Sequence, residues 1–146
     1  MTAADVPRVM EIAASLPEAP HWPETAYLDA LNPASTPRRI ALVAAGPEPE
    51  RIAGFTVASL LPPQAELESI AVAAKSKRKG VGRMLVKSLV NELRTAGVIE
   101  ITLEVRESNH AAVAFYRSAG FSQRGLRKAY YADPIEDAVL MRLQFF

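Results

Sequence analysis

A β-type run from Ala65 to Val72 breaks into Lys77-Arg78-Lys79-Gly80-Val81-Gly82, after which an amphipathic helical run begins near Arg83 and a second β-type run, VIEITLEV, spans Val98 to Val105. A strand, a helix and a strand in so short a stretch predict a parallel, right-handed crossover unit. Leu85, Leu89 and Leu93 lie at i, i+4 and i+8 with Val86 and Val90 beside them, so one face of that helix, read as Lys79 to Ala96, is buried. Gly97 stops it.

The turn between strand and helix constrains chemistry as well as fold. Free backbone N–H groups at a helix start, beside the positive end of its dipole, bind phosphate. Glycines let a ligand approach without a Cβ in the way, and Lys77, Arg78 and Lys79 add positive potential. Two common phosphate loops are excluded. There is no Gly, four residues, Gly-Lys-Ser/Thr string, and a dinucleotide fingerprint would need glycine where Leu85 stands. A solvated basic turn that merely caps the helix is the competing reading.

The rest of the chain alternates in the same way, without repeats. Asp5 is placed to cap a first helix with Pro7 in its first turn and Val6, Val9, Ile12 and Ala13 on one face. Pro23 to Leu31 reads as a second short helix. Arg39 to Ala45 and Arg51 to Leu60 are β-type runs around Gly46-Pro47-Glu48-Pro49, a hairpin connection. Asn109 to Ala119 reads as a helix ended by Gly120, Phe121 opens a return to strands, and Val139 to Phe145 is the last clear one. Strands that meander and then alternate with helices predict an α/β protein with a mixed sheet and helices on both faces, in a single domain over residues 1–146.

Composition narrows the function classes. A net charge of +1 gives no general reason to expect nucleic acid or an anionic membrane as partner. The chain has no cysteine, which excludes disulfides, thiolate metal sites and a cysteine-linked covalent intermediate. Two histidines and no His/Asp/Glu set at ligand spacing make a metal unexpected. With no long apolar run and no signal-like start, a cytoplasmic protein is expected.

Within VIEITLEV, Ile101, Leu103 and Val105 alternate with Thr102 and Glu104. If the Glu104 face is covered, burial raises the carboxyl and suits it to general-base work. If it is open, Glu104 is a strand-end carboxylate paired with Arg106. Tyr116 is open in the same way, as a packing residue or a proton donor.

Three segments together resemble the GCN5-related N-acetyltransferase (GNAT) superfamily. They are Ile70-Ala71-Val72 with KRKGVGRML, LEVRESN (Leu103 to Asn109) with AFYRSAGF (Ala114 to Phe121), and AYYADPIEDAVLM (Ala129 to Met141). The second and third are similar to the RimI type, which acetylates protein N-termini. Lys77 departs from the family's usual Gln or Arg, and only Met1 to Ala4 precede the Asp5-Val6-Pro7 region, where the family normally carries its first strand. The resemblance implies a GNAT fold, a mostly antiparallel twisted sheet with a splayed parallel pair at the acetyl-CoA site.

It also implies roles for residues. The backbone of Ile70, Ala71 and Val72 would pair with the pantetheine arm. Amides of Lys77, Arg78, Lys79, Gly80, Val81, Gly82 and Arg83 would hold the pyrophosphate, with Asn109 and Tyr116 further along acetyl-CoA. Glu104 would be the general base and Tyr116 the general acid. Trp22, Tyr130, Tyr131 and Glu136 would border the acceptor, expected to be a peptide or protein N-terminus, possibly of a ribosomal protein. A lysine or small amine acceptor, or a non-catalytic acyl-CoA-binding module, are the alternatives. A monomer or weak dimer is expected.

Overall fold

The computed structural model describes residues 1–46 and 51–145, so Pro47 to Pro49 of the expected hairpin connection lie outside the described residues. Six strands form one sheet in the order β1-β2-β3-β4-β6-β5. They are β1 (Arg39–Ala45), β2 (Ile52–Leu61), β3 (Gln64–Val72), β4 (Glu100–Arg106), β5 (Ser122–Ala132) and β6 (Ile135–Gln144). All neighbours are antiparallel except β3 and β4. Four helices, α1 (Val6–Ala14), α2 (Glu24–Ala30), α3 (Val81–Thr95) and α4 (His110–Ser118), connect or flank them. No helix among the described residues is long and apolar enough to cross a membrane.

The helices divide between the two faces. Val6, Val9 and Ile12 of α1 and Tyr27 of α2 pack on Phe55, Val57 and Ala71. On the other face, Val86, Leu89 and Leu93 of α3 meet Ala58, Leu60, Leu67, Ile101, Leu103 and Met141, with α4 packed beside them. The expected alternation of β4 holds. Its apolar residues face α3, so Thr102 and Glu104 face the α1/α2 side of the sheet.

One extra residue in β3 decides what that strand presents to each face. Val57 pairs with Ser69 but Ala58 pairs with Leu67, leaving Glu68 as a bulge. A bulge shifts side-chain alternation by one position. Ala65 and Leu67 therefore pack toward α3, whereas Ala71, of the same parity, packs toward α1 and α2. Arg39 of β1 pins the bulge through two nitrogens on the Glu68 carboxylate, at 2.7 and 3.4 Å.

Asp5 works in the opposite direction from the one expected. Its carboxylate accepts from the Thr2 N–H at 2.8 Å and from the Thr2 hydroxyl at 3.1 Å, closing a 3₁₀ turn over Ala3–Asp5 that runs into α1. The helix after the basic turn begins later than its apolar pattern suggests, at Val81. Gly80 has φ +82°, a left-handed conformation that no α-helix continues.

Candidate active site

β3 and β4 pair over only three positions, Gln64 with Glu100, Ala65 with Ile101 and Glu66 with Thr102, and then diverge. Past that point β3 is bonded on its β2 side alone. The Ala73 N–H donates to the Ala53 carbonyl at 2.7 Å, and in a regular antiparallel ladder the groups that point to one neighbour alternate along the strand. Ala71 therefore directs its backbone at β2, while Ile70 and Val72 direct theirs into the gap. Of the three residues expected to line the gap through their backbone, two do so. Such a free edge pairs with an extended amide chain.

The turn closing the gap has the backbone of an anion cradle. Arg78 has φ +62° and Gly80 φ +82°, and left-handed residues in such a turn gather successive N–H groups into a concave nest. The N–H groups of Val81, Gly82 and Arg83, in the first turn of α3, have no intrahelical acceptor. Lys77, Arg78 and Lys79 are exposed around it. Gly82 has a further task that the sequence reading did not foresee. A Cβ there would lie 3.0 Å from the Phe115 ring of α4, so its bareness lets α3 and α4 approach.

Glu104 lies on the α1/α2 side of the sheet, where those helices cover β2 and β3 but leave the β4–β6–β5 half uncovered. A cavity of about 380 Å³ opens there, lined among others by Glu66, Thr102, Glu104 and Arg127. The expected pairing of Glu104 with Arg106 is not what forms. Glu104 Oε1 lies 3.5 Å from Arg127 Nε on β5, and its side chain is 20% exposed, so the desolvation foreseen for it is only partial. Glu104 in turn holds two phenols in their neutral form. The Tyr130 phenol is raised first by hydrogen bonding to Glu104 and then by its charge. The Tyr131 phenol is raised first by burial and then by Glu104.

Tyr116 lies on the opposite face of the sheet, packed against the core that α3 covers. Its ring packs between Phe115 and Phe121, with centroids 5.4 and 5.5 Å away. Burial, followed by the neighbouring Tyr131, pushes its phenol up to about 12. Asn109 caps α4, its Oδ1 accepting from the Ala112 N–H at 3.2 Å, which leaves only its amide nitrogen free of that bond.

The C-terminal hairpin is held over the end of β4 by Arg106. Its guanidinium stacks 4.3 Å from the Tyr131 ring centroid, pairs with Glu136 at 3.2 Å and donates to the carbonyls of Pro134 and Asp133. Glu136 accepts from Arg106 on one oxygen and from the Ser108 N–H on the other, at 2.6 Å. Its carboxylate, expected to border the acceptor, ties the hairpin to the β4–α4 turn. Trp22 stacks 5.3 Å from Tyr27 as part of the α1/α2 core rather than lining an open slot. Tyr130 and Tyr131 stand edge to face, 5.1 Å apart, beside Glu104.

Residues 6–121 match the model of the Acetyltransferase (GNAT) family. The chain belongs to this family. It is 44% identical over 96 residues to a [ribosomal protein bS18]-alanine N-acetyltransferase of Salmonella typhimurium, a match spanning 64% of this chain and 65% of that protein. It is 36% identical over 145 residues to N-alpha-acetyltransferase RimI of Mycobacterium tuberculosis, covering 97% of this chain and 88% of that one. The crystal structure of the Escherichia coli ribosomal-protein-S18-alanine N-acetyltransferase superposes with a TM-score of 0.81 at 31% identity, over 99% of this chain and 90% of that one.

Two residues of this site, Glu66 and Arg127, escape a reading by motif. Glu66 sits on the open face beside the last β3–β4 pair. Its carboxyl is raised by burial first, then by the charges of Glu104 and Glu68, against the opposing effect of Arg127. The alternation of Ala65 and Leu67 with Glu66 was the available signal, but the partner strand sets what Glu66 faces. Arg127 shares Ala138 as a ladder partner with Arg106 and so faces the Glu104 side, and a second irregularity follows it along the strand. β5 spans Arg127 to Tyr131 while β6 spans only Ala138 to Glu136. Ala129 stands there at φ +50°, with its N–H held by Asp137 Oδ1 at 2.8 Å.

Proposed function

We propose that this chain transfers the acetyl group of acetyl-CoA to the α-amino group of a protein N-terminus, with alanine of a ribosomal protein the foremost candidate acceptor. The observation that carries this reading is the gap between β3 and β4. It offers the free backbone of Ile70 and Val72 and ends in the nest before α3. A carboxylate, Glu104, stands on one side and a neutral phenol, Tyr116, on the other. The bS18-alanine relatives and RimI supply the acceptor class.

In this reading Ile70 and Val72 orient the pantetheine arm, and the amides from Arg78 to Arg83 hold the pyrophosphate. An α-amino group, with a pKa near 8, arrives mostly protonated at neutral pH. Glu104, directly or through a water, takes one proton, and the nitrogen lone pair attacks the thioester carbonyl carbon. The resulting oxyanion is met by the Val72 N–H. As the carbon–sulfur bond breaks, the electron pair leaves on sulfur. The nitrogen sheds its second proton to solvent, and Tyr116 donates a hydrogen bond to the thiolate, which takes its proton from solvent. With no cysteine in the chain, transfer is direct, in a ternary complex. Tyr130 and Tyr131 flank the amine, leaving room for a small first side chain.

The test is acetylation of a short peptide set by purified protein, read as free CoA thiol and by mass spectrometry. Peptides starting with Ala or Ser should outpace one starting with Leu and one with a blocked N-terminus and a free lysine. Glu104→Gln should lower kcat/KM about 10²–10⁴-fold at neutral pH, the usual worth of a general base. Faster acetylation of the lysine peptide or a polyamine overturns the N-terminal assignment. No turnover with any amine, with acetyl-CoA still bound, would leave a binding module.

A further inference from the structure

The Arg127–Glu104 contact differs in kind from the structural ion pair nearby. Arg39 grips Glu68 through two nitrogens, with both side chains only 20% exposed. Arg127 touches Glu104 through a single nitrogen at 3.5 Å, and its side chain is 56% exposed. A one-point, solvent-exposed contact to a carboxylate is weak and exchangeable, whereas a two-point one is not. Arg127 also has somewhere else to go. The Tyr130 ring lies 5.4 Å from its guanidinium carbon, within cation–π range.

The charges around this contact can be counted on the open face. Glu100 and Glu104 come from β4 and Glu66 from β3, while β5 supplies Arg124, Arg127 and two phenols, Tyr130 and Tyr131, and β6 supplies Arg142. β6 also places the apolar Leu140 opposite Glu104. Arg142 pairs with Glu100 at 3.4 Å, and Arg106 is turned to Glu136 and Tyr131. Three carboxylates against three guanidiniums balance the pocket, and an acceptor ammonium that takes Arg127's place on Glu104 keeps that balance.

We propose that Arg127 is a placeholder cation, seated on Glu104 in the free enzyme and displaced toward Tyr130 by the acceptor's ammonium, so that it sets how many positive charges the groove accepts. The inference rests on the reading of Glu104 as the group that receives the amine. It goes beyond that reading by assigning a charge-selecting role to a residue of β5, separated by β6 from the gap-lining β4. Without Arg127 the pocket carries one negative charge in excess. It should then bind an ammonium more tightly and favour acceptors carrying a second positive charge.

Arg127→Gln and Arg127→Lys are compared with wild type on two Ala-start peptides that differ by Lys or Gln at the second position. In R127Q the peptide KM should fall about two- to fivefold, the span that an exposed ion pair is worth. The preference for the Lys peptide should rise by a similar factor, and R127K should stay near wild type in both. The KM for acetyl-CoA should not move. In parallel, the Arg127 Nε–H signal, assigned by its loss in R127Q, is followed in nitrogen–proton spectra while peptide is added without acetyl-CoA. It should move to the position of a solvent-exposed arginine with a free N-terminus and stay put with a blocked one. A higher peptide KM in R127Q, an unchanged Lys/Gln preference, or an Arg127 signal that ignores a saturating peptide overturns the proposal. If wild type turns over only another amine, the acceptor assignment fails. The same titration with that amine then decides on Arg127.

Discussion

Replacing Tyr116 with Phe isolates the hydroxyl, because the ring contacts with Phe115 and Phe121 survive the change. The structure also sets how large the effect can be. Burial holds the phenol at about 12, so at neutral pH it is protonated and able to donate. A thiol of ordinary acidity titrates near 8.5, so a complete proton transfer from Tyr116 to the departing thiolate runs uphill by roughly 5 kcal/mol. Tyr116 is therefore a hydrogen-bond donor to developing charge on sulfur, with full protonation completed from solvent. Its loss should sit at the low end for acid catalysis, a fall in kcat of about 10²-fold rather than 10⁴-fold. The defect should persist through the alkaline range, because the wild-type phenol stays protonated until pH approaches about 12. The KM for acetyl-CoA should change little, and the melting temperature should not fall. The assay is release of free CoA thiol at saturating peptide across a pH series, with melting curves as control. A wild-type kcat in Tyr116→Phe, or a loss expressed mainly in the KM for acetyl-CoA, would refute the reasoning.

Acetyl-CoA should raise the melting temperature by mass action, since only the native state forms the gap and nest. Gly80→Val, which forces a β-branched residue into φ +82°, should weaken that rise. An unchanged melting curve at saturating acetyl-CoA would sink the phosphate-nest reading. Ala129→Gly removes the cost of a left-handed non-glycine residue at φ +50° and should stabilise the protein by about 0.5–1 kcal/mol, measured by denaturant titration. A loss of stability would mean that the β5 irregularity needs the methyl group. The Glu136 carboxyl is held below its ordinary value, first by Ser108 and then by Arg106. A carboxyl lowered on folding stabilises the hairpin above its unfolded value, near 4.5, and that contribution is lost as pH falls through the lower folded value. The Ser108 amide signal in NMR should therefore titrate with a midpoint below 4.5, and a midpoint at or above it would contradict the contact.

How much of this was legible in the sequence depends on how far each feature reaches along the chain. The crossover unit, the buried face of α3 and the inward alternation of β4 are local patterns of period 3.6 or 2, and they were read correctly. The cradle before α3 was legible for the same reason, since Gly80 and the turn lie next to each other in sequence. Partner choice was not. Arg106 follows Glu104 by two positions and is the obvious mate, yet strand geometry carries it along to the hairpin tip. Arg127 arrives from β5, which is separated from β4 by β6, through the shared register at Ala138 that puts it on the Glu104 face.

Bulges are the common cause of what was missed. A single extra residue at Glu68 transfers the odd-numbered side chains of β3 from one face to the other. No sequence period announces it, because the deciding event is pairing with β2. The extra residues at Lys128 to Tyr130 likewise bring Tyr130, which a regular strand would turn to the other face, to Glu104 beside Arg127 and Tyr131. The Glu68 bulge borders the gap where β3 and β4 part, while the β5 irregularity lies beyond β6 and reaches Glu104 across that strand. The residues that tune Glu104 are therefore set by long-range register rather than by the motif that contains it.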